Sequence, residues 1–304
     1  MWVNKWLSAV LEMLGRFIFN AYPPEVGGMV RDIRYKGESP KQVLDIAIPK
    51  GEGPFPVMVY IHGGGFHTMG RRSYTRVAKT FASEGYLVFN VDYRSAPAHR
   101  FREQFGDLGE ALRYAHEHAA DFGGDNTRMF IGGDSAGATF SGIYGTAACV
   151  EEIRDALNIG PTIPPEHLRG LLLFYGTFDF DTALDTGFPL VRFLTSDFIG
   201  KEPRDKELVV KYGSAIRNLT PDYPPAFITS GGRDHLHIES VAFSNELARL
   251  GLVHEECFFP RDKYPEAFHG FINMFFFRCT AEAMNRTFEF MRANDSLPAV
   301  KADA

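Results

Sequence analysis

Ser135 stands at the centre of Gly133-Asp134-Ser135-Ala136-Gly137. An apolar run, Met129-Phe130-Ile131-Gly132, leads into it, and a small-residue, helix-compatible stretch over 136–150 leads out. A G-x-S-x-G placed on a strand–turn–helix is a nucleophile elbow, in which the serine is held on a strained corner with its hydroxyl exposed. The chemistry it suggests is acyl transfer to that hydroxyl. Glycines are expected at 133 and 137 because a side chain there would collide with neighbouring backbone as the turn closes. With 30 glycines among 304 residues, the pentapeptide alone proves little.

A serine nucleophile needs a base, a carboxylate to orient the base, and an oxyanion hole. On an elbow of this kind the partners follow in the chain order Ser, Asp or Glu, His. Downstream histidines are His167, in a proline-rich loop, then His235, His237, His254 and His269. His269 lies in Ala267-Phe268-His269-Gly270-Phe271, after the last expected strand and before the final helix, which is where the base has to be. The carboxylate is expected just after the preceding strand, and Asp234 follows Ser230-Gly231-Gly232-Arg233 at that point. Asp262 is the competitor; it follows the next strand, in a charged loop. His62-Gly63-Gly64-Gly65 follows an early apolar strand, and successive glycines let backbone N–H groups approach a substrate closely. The amides of Gly63, Gly64 and Ala136 are the expected oxyanion hole, with Gly65 serving the turn and His62 anchoring the loop.

The elements that must position these groups read as strand and helix in alternation. An alternating stretch at 43–48, apolar runs at 57–61, 87–91, 171–174 and 226–229, the run into the elbow, and a last stretch at 255–259 are expected strands. Helices are expected over 73–83, 105–119, 136–150, 240–250 and 271–293. This is an α/β class chain with a mainly parallel central sheet covered by helices on both faces. Between 177 and 223 no core strand is apparent, so this stretch reads as an insertion at the C-terminal edge of the sheet, where ligands bind in open α/β folds. The first twenty residues have helical apolar spacing, broken by Lys5, Glu12 and Arg16, and Tyr22-Pro23-Pro24 ends that helix. A single domain over 1–304 is expected, with cap elements at about 1–28 and 177–223.

At this point the chain resembles the hormone-sensitive-lipase-like family of α/β-hydrolase esterases. The resemblance rests on His62-Gly63-Gly64-Gly65-Phe66, on Asp92-Tyr93-Arg94 followed by Ala96-Pro97, and on the elbow. It extends to Asp234-His235-Leu236 and His269-Gly270-Phe271. It implies the α/β-hydrolase fold and cofactor-free hydrolysis of small acyl esters under a helical cap. Two places depart from the family pattern. The residues after Ala96-Pro97 read Ala98-His99-Arg100-Phe101-Arg102 where the family has Glu-His and then Phe-Pro. Ala138 stands where a further glycine is common.

The functional expectation is a serine carboxylesterase using Ser135, Asp234 and His269, acting on small to medium acyl esters. The same groups could cleave amides, remove acetyl groups or open lactones. A non-catalytic receptor on this scaffold would not need nucleophile, base and acid together. A net charge of −6 gives no basic footprint for nucleic acid. No apolar run approaches a membrane span. His116 and His118 are two apart on a helix and face different ways, while His235 and His237 could share a strand face without a third ligand. No metal or cofactor is expected. Cys149, Cys257 and Cys279 match no metal or redox spacing and read as reduced thiols, which favours a cytoplasmic setting. Phe66, Tyr74, Phe178 and Phe198 serve either as pocket lining or as cap core. The aromatic run 274–277 either supports a homodimer or belongs to a buried helix.

Overall fold

The computed structural model describes residues 12–13, 15–189, 191–200 and 202–295. Its centre is one eight-stranded sheet in the order β1-β2-β4-β3-β5-β6-β7-β8. The strands are β1 (Gly28–Arg34), β2 (Val43–Ile48), β3 (Phe55–Ile61), β4 (Leu87–Val91), β5 (Gly124–Asp134), β6 (Leu168–Phe174), β7 (Ala226–Gly231) and β8 (His254–Phe259). The two pairs β1–β2 and β2–β4 are antiparallel, and every pairing from β4 through β3 to β8 is parallel. The near-continuous apolar sequences of β3, β4, β6 and β7 follow from this position, because a central parallel strand is buried on both faces.

Helices α1 (Thr75–Ser83) and α8 (Arg278–Asp295) cover one face, where Phe81, Phe288, Phe290 and Met291 pack on Met58, Val88 and Phe130. Helices α2 (Phe101–His118), α3 (Ala136–Cys149) and α7 (His237–Arg249) cover the other, around Phe105, Phe140, Ile143 and Phe243. Between β6 and β7 the described residues form α5 (Val191–Ile199), α6 (Pro203–Tyr212) and short 3-10 turns, with no strand, as the sequence suggests. Among the described residues no helix is long and apolar enough to cross a membrane.

Several expectations need correction. β1 is absent from the sequence reading because its residues are mostly half-buried or exposed, and a bulge between Val30 and Ile33 breaks any alternation. The short helix α4 (Glu151–Leu157) is likewise unforeseen. Helix α2 starts four residues earlier than expected, where the Glu103 carboxylate accepts from the Arg100 N–H at 3.1 Å and caps the first turn. His235 lies in a turn and His237 opens α7, so they share no strand face. The closing helix does not begin at 271. Residues 271–273 form one 3-10 turn after Gly270 at φ 90°, and residues 274–277 are a loop before α8. Three consecutive Phe residues suit a helix poorly, and here Phe276 is exposed, so the run is not a buried helix. Of the expected N-terminal helix, residues 1–11 and 14 lie outside the described residues. Residues 15–18 are helical, and the Phe19 ring that follows them meets Tyr74 edge-on at 6.1 Å.

Candidate active site

The parallel registers bring the strand ends level. Ile61 pairs with Gly133, Asp134 with Phe174, and Phe174 with Thr229. The loops leaving β3, β5, β6, β7 and β8 therefore emerge along one edge, and these loops carry the glycine triplet, Ser135, Tyr175, Asp234 and His269.

Ser135 has φ 52° and ψ −116°, a backbone conformation that costs a non-glycine residue about 1–3 kcal/mol and persists only where the surroundings enforce it. The enforcement is visible on both sides. A Cβ at Gly133 or at Gly137 would lie 1.9 Å from the carbonyl oxygen of Ile61, so both positions must be glycine for the elbow to close onto the end of β3. The Ser135 N–H donates to Phe174 O at 2.8 Å.

The Ser135 hydroxyl lies 2.9 Å from His269 Nε2, and His269 Nδ1 lies 2.8 Å from Asp234 Oδ2. The imidazole is partly exposed, while the Asp234 carboxylate is fully buried. The other Asp234 oxygen accepts from the Leu236 N–H at 2.8 Å, which fixes the carboxylate plane. Gly231 at the end of β7 lies so close to Ala267 that a Cβ would sit 2.0 Å from its carbonyl oxygen. That approach brings the His269 loop against the Asp234 loop. The structure thus brings together the three residues singled out from spacing. Asp262 is exposed and takes no part. His237 bonds Ser230, His254 bonds Leu252 O, and His116 meets His167 at 3.0 Å.

The glycine loop requires one correction. The Gly63 N–H is already committed to Asp134 Oδ1 at 3.0 Å, so it is not a free donor. Gly64 and Gly65 have φ of +120° and +60°, and a Cβ at Gly64 would sit 2.0 Å from Thr68 O. The loop therefore needs glycine for its conformation at two positions. His62 anchors it: Nδ1 lies 2.6 Å from Gly63 O, the ring stacks on Tyr93 at 4.5 Å, and the Tyr93 hydroxyl donates to His62 O at 3.0 Å.

Behind His62 is a charge cluster that the sequence did not disclose. Buried Arg71 donates through Nε to Asp45 at 2.9 Å and through its backbone N–H to Asp92 at 2.7 Å, and its guanidinium also meets Asp92 and Asp32. Asp92 lies 3.4 Å from His62 Nε2. Burial pushes the Asp92 carboxyl up, but His62, Lys41 and Arg71 together outweigh it and hold Asp92 at about 2 against an ordinary 3.8. A carboxyl lowered by folding stabilises the fold above its unfolded pKa, and that contribution is lost as pH falls toward the folded value. Asp92 is therefore expected to supply on the order of 2 kcal/mol that disappears between about pH 4 and pH 2. Urea unfolding of Asp92→Asn and wild type across that window should show the gap between them closing as pH falls.

The segment between β6 and β7 reaches the same edge. The Phe188 ring stands edge-on to His269 at 4.7 Å, and Leu194 lies where a Cβ on Gly65 would meet it at 3.0 Å. Its root is held by Glu239 of α7, whose buried carboxylate accepts from the N–H groups of Phe178 and Asp179, both at 3.0 Å, and from the Thr182 hydroxyl. Burial pushes the Glu239 carboxyl up, and these donors oppose it. Phe66 and Phe198 stack on each other at 3.8 Å, Phe178 stacks on Phe243, and Tyr74 bonds Asp134, all four being buried; they are core rather than lining.

The chain is similar to known proteins in sequence and in fold. The BD-FAE family model matches residues 44–247. The chain is 29% identical over 262 residues to carboxylesterase NlhH of Mycobacterium tuberculosis, covering 82% of this chain and 77% of that protein. It is 28% identical over 223 residues to esterase LipC of the same organism, covering 69% of this chain and 54% of LipC. The chain thus spans about half the length of one relative and about three quarters of the other. Among solved structures, esterase B of Lactobacillus rhamnosis superposes with a TM-score of 0.86 at 18% identity, covering 96% of this chain and 93% of that one. The hyperthermophilic esterase of Pyrobaculum calidifontis superposes with a TM-score of 0.78 at 20% identity, covering 95% and 93%. These superpositions show the α/β-hydrolase fold. The family match covers well over half of the sequence, and the chain belongs to the BD-FAE family, among the hormone-sensitive-lipase-like α/β-hydrolase esterases.

Proposed function

We propose that this protein is a serine carboxylesterase whose catalytic residues are Ser135, His269 and Asp234. The observation that carries the reading is the continuous hydrogen-bond chain from the Ser135 hydroxyl through both ring nitrogens of His269 to a buried carboxylate. With Nδ1–H donating to Asp234, Nε2 has its lone pair toward Ser135 and is placed to take the hydroxyl proton. Ser135 Oγ then bonds to the ester carbonyl carbon, and the carbonyl electron pair moves onto oxygen. His269 returns the proton to the leaving alcohol as the acyl–alcohol bond breaks. Water, deprotonated by the same nitrogen, releases the acid and restores Ser135.

The oxyanion hole in this reading is formed by the N–H groups of Gly64, Gly65 and Ala136. Gly65 takes the place expected for Gly63, whose N–H is spent on Asp134. Ala136 opens α3, so the positive end of that helix faces the developing charge as well. The segment at 177–223 and the described part of 12–28 act as the cap. Phe188 and Leu194, which approach His269 and Gly65, border the acyl site in this reading, and the substrates are small to medium acyl esters. Cys149, Cys257 and Cys279 are free, which supports a reducing, cytoplasmic setting.

A chain-length series of p-nitrophenyl esters tests the proposal. Acetate and butyrate are expected to be turned over with kcat/KM at least tenfold above that for dodecanoate. No turnover of any ester would overturn the proposal, and a preference for the longest chain would overturn the assigned cap.

A further inference from the structure

Asp134, the residue preceding the nucleophile, has a fully buried carboxylate that no step of the proposed reaction uses. It accepts four hydrogen bonds from three separate parts of the chain, residues 60–63, Tyr74 and Asn273. Oδ1 takes the Gly63 N–H at 3.0 Å and the Tyr60 hydroxyl at 3.2 Å. Oδ2 takes the Asn273 amide at 3.0 Å and the Tyr74 hydroxyl at 3.1 Å. A carboxylate offers about four acceptor sites, so every one is filled by a donor. Burial pushes the Asp134 carboxyl up, and the Gly63, Asn273 and Tyr74 donors oppose it by favouring the charged form.

The places those donors come from matter more than their number. Gly63 begins the loop that carries the free amides of the oxyanion hole. Asn273 lies in the 3-10 turn immediately after His269. Tyr74 precedes α1 and bears the Phe19 contact, while Tyr60 is on β3. Gly63 must be glycine for the arrangement to exist, since a Cβ there would meet Asp134 O at 2.8 Å and Oδ2 at 2.9 Å. We infer that Asp134 is a positioning residue that sets the oxyanion loop and the His269 loop in register with Ser135, its own chain neighbour. The inference rests on the esterase reading of the site.

The energetic logic is that of preorganisation. Donors stabilise an oxyanion only when held within a few tenths of an ångström of their places, and a displacement of about 1 Å costs about 100-fold in rate. Gly64 and Gly65 follow Gly63 directly, so freeing the Gly63 N–H frees both. Freeing Asn273 loosens the turn that fixes His269. Ground-state ester binding depends on the cap and should not follow these changes.

The test uses the full chain with three substitutions: Asp134→Asn, Asn273→Ala and Tyr74→Phe. Each is measured for kcat and KM on p-nitrophenyl butyrate, for inhibition by an aryl trifluoromethyl ketone, whose serine adduct carries an oxyanion, and for active-site concentration by phosphonate titration. In Asp134→Asn the new NH2 meets donors. Asn273 can turn its unpartnered Oδ1 toward it, but the Gly63 N–H is then left with a neutral, weaker acceptor. The expected result for Asp134→Asn is a kcat about 100-fold lower per titrated site, KM within threefold, and ketone affinity weakened in parallel with kcat. The two single-donor variants should each lose about tenfold in kcat with the same unchanged KM. If Asp134→Asn does not fold, those two decide. Rates per titrated site within threefold of wild type, or KM rising while kcat holds, would overturn the inference. Either failure differs from failure of the esterase reading, in which wild type itself would show no phosphonate labelling at Ser135.

Discussion

Replacing Ser135 by alanine should lower kcat on p-nitrophenyl butyrate by about a million-fold while leaving the unfolding midpoint at or above that of wild type. The rate loss follows from removing the only atom placed to attack. Ser135 Oγ is the one hydroxyl at hydrogen-bond distance from His269 Nε2 among the described residues. Tyr175 approaches the imidazole with its ring at 5.0 Å, but its hydroxyl is buried elsewhere and cannot substitute. The stability expectation has a separate cause. The strained φ of 52° belongs to the backbone and is imposed by the contacts of Gly133 and Gly137 with Ile61, which alanine at 135 leaves in place. Residual hydrolysis should be insensitive to a phosphonate. Steady-state rates with burst analysis on both proteins check this, and retention of more than about one per cent of kcat would show that another group attacks.

The second large effect concerns Asp234. Its Oδ1 is held by the Leu236 N–H, so in Asp234→Asn the amide oxygen stays at that position and the NH2 is turned toward His269 Nδ1. An NH2 donates, so Nδ1 must accept, which moves the ring proton to Nε2. The nitrogen facing Ser135 then carries a hydrogen and cannot take the hydroxyl proton. A loss of about ten-thousand-fold in kcat near neutral pH is expected, the size found for this swap in serine proteases, with KM little changed. The deficit should shrink at high pH, where hydroxide rather than the imidazole removes the serine proton. Rates of the Asn variant measured from pH 6 to pH 10 check it. A loss below tenfold would mean that Asp234 does not set the tautomer.

Much of this site was legible in the sequence for a physical reason. Elbow, glycine loop and carboxylate each follow a strand buried in the parallel part of the sheet, and such strands announce themselves as apolar runs; the base follows β8, a partly buried edge strand. Once the runs at 57–61, 171–174, 226–229 and 255–259 are recognised, the residues after them must share one edge. What was not legible depends on contacts between distant parts of the chain. That the Gly63 N–H points at Asp134 rather than at the substrate is decided by how β3 and β5 lie together, with Ile61 against Gly133. Arg71 sits among Asp32, Asp45 and Asp92, contributed by three separate stretches, and no spacing rule links them. A signal for Asp134 was nevertheless available. An acidic residue ending a buried strand, with no lysine or arginine nearby in sequence, must find its donors elsewhere in the fold. β1 escaped notice because it is an edge strand with little apolar surface, and 271–277 was misread as helix because no glycine or proline separates it from α8.

The most direct test of the central claim is to treat the wild-type protein with a p-nitrophenyl alkylphosphonate and locate the adduct by peptide mass spectrometry. One phosphonyl group per chain on the peptide containing Ser135, with p-nitrophenol released in equal amount and esterase activity lost in step, is the predicted result. Complete loss of activity with the label on any other residue, or full activity after Ser135 is labelled, would contradict it.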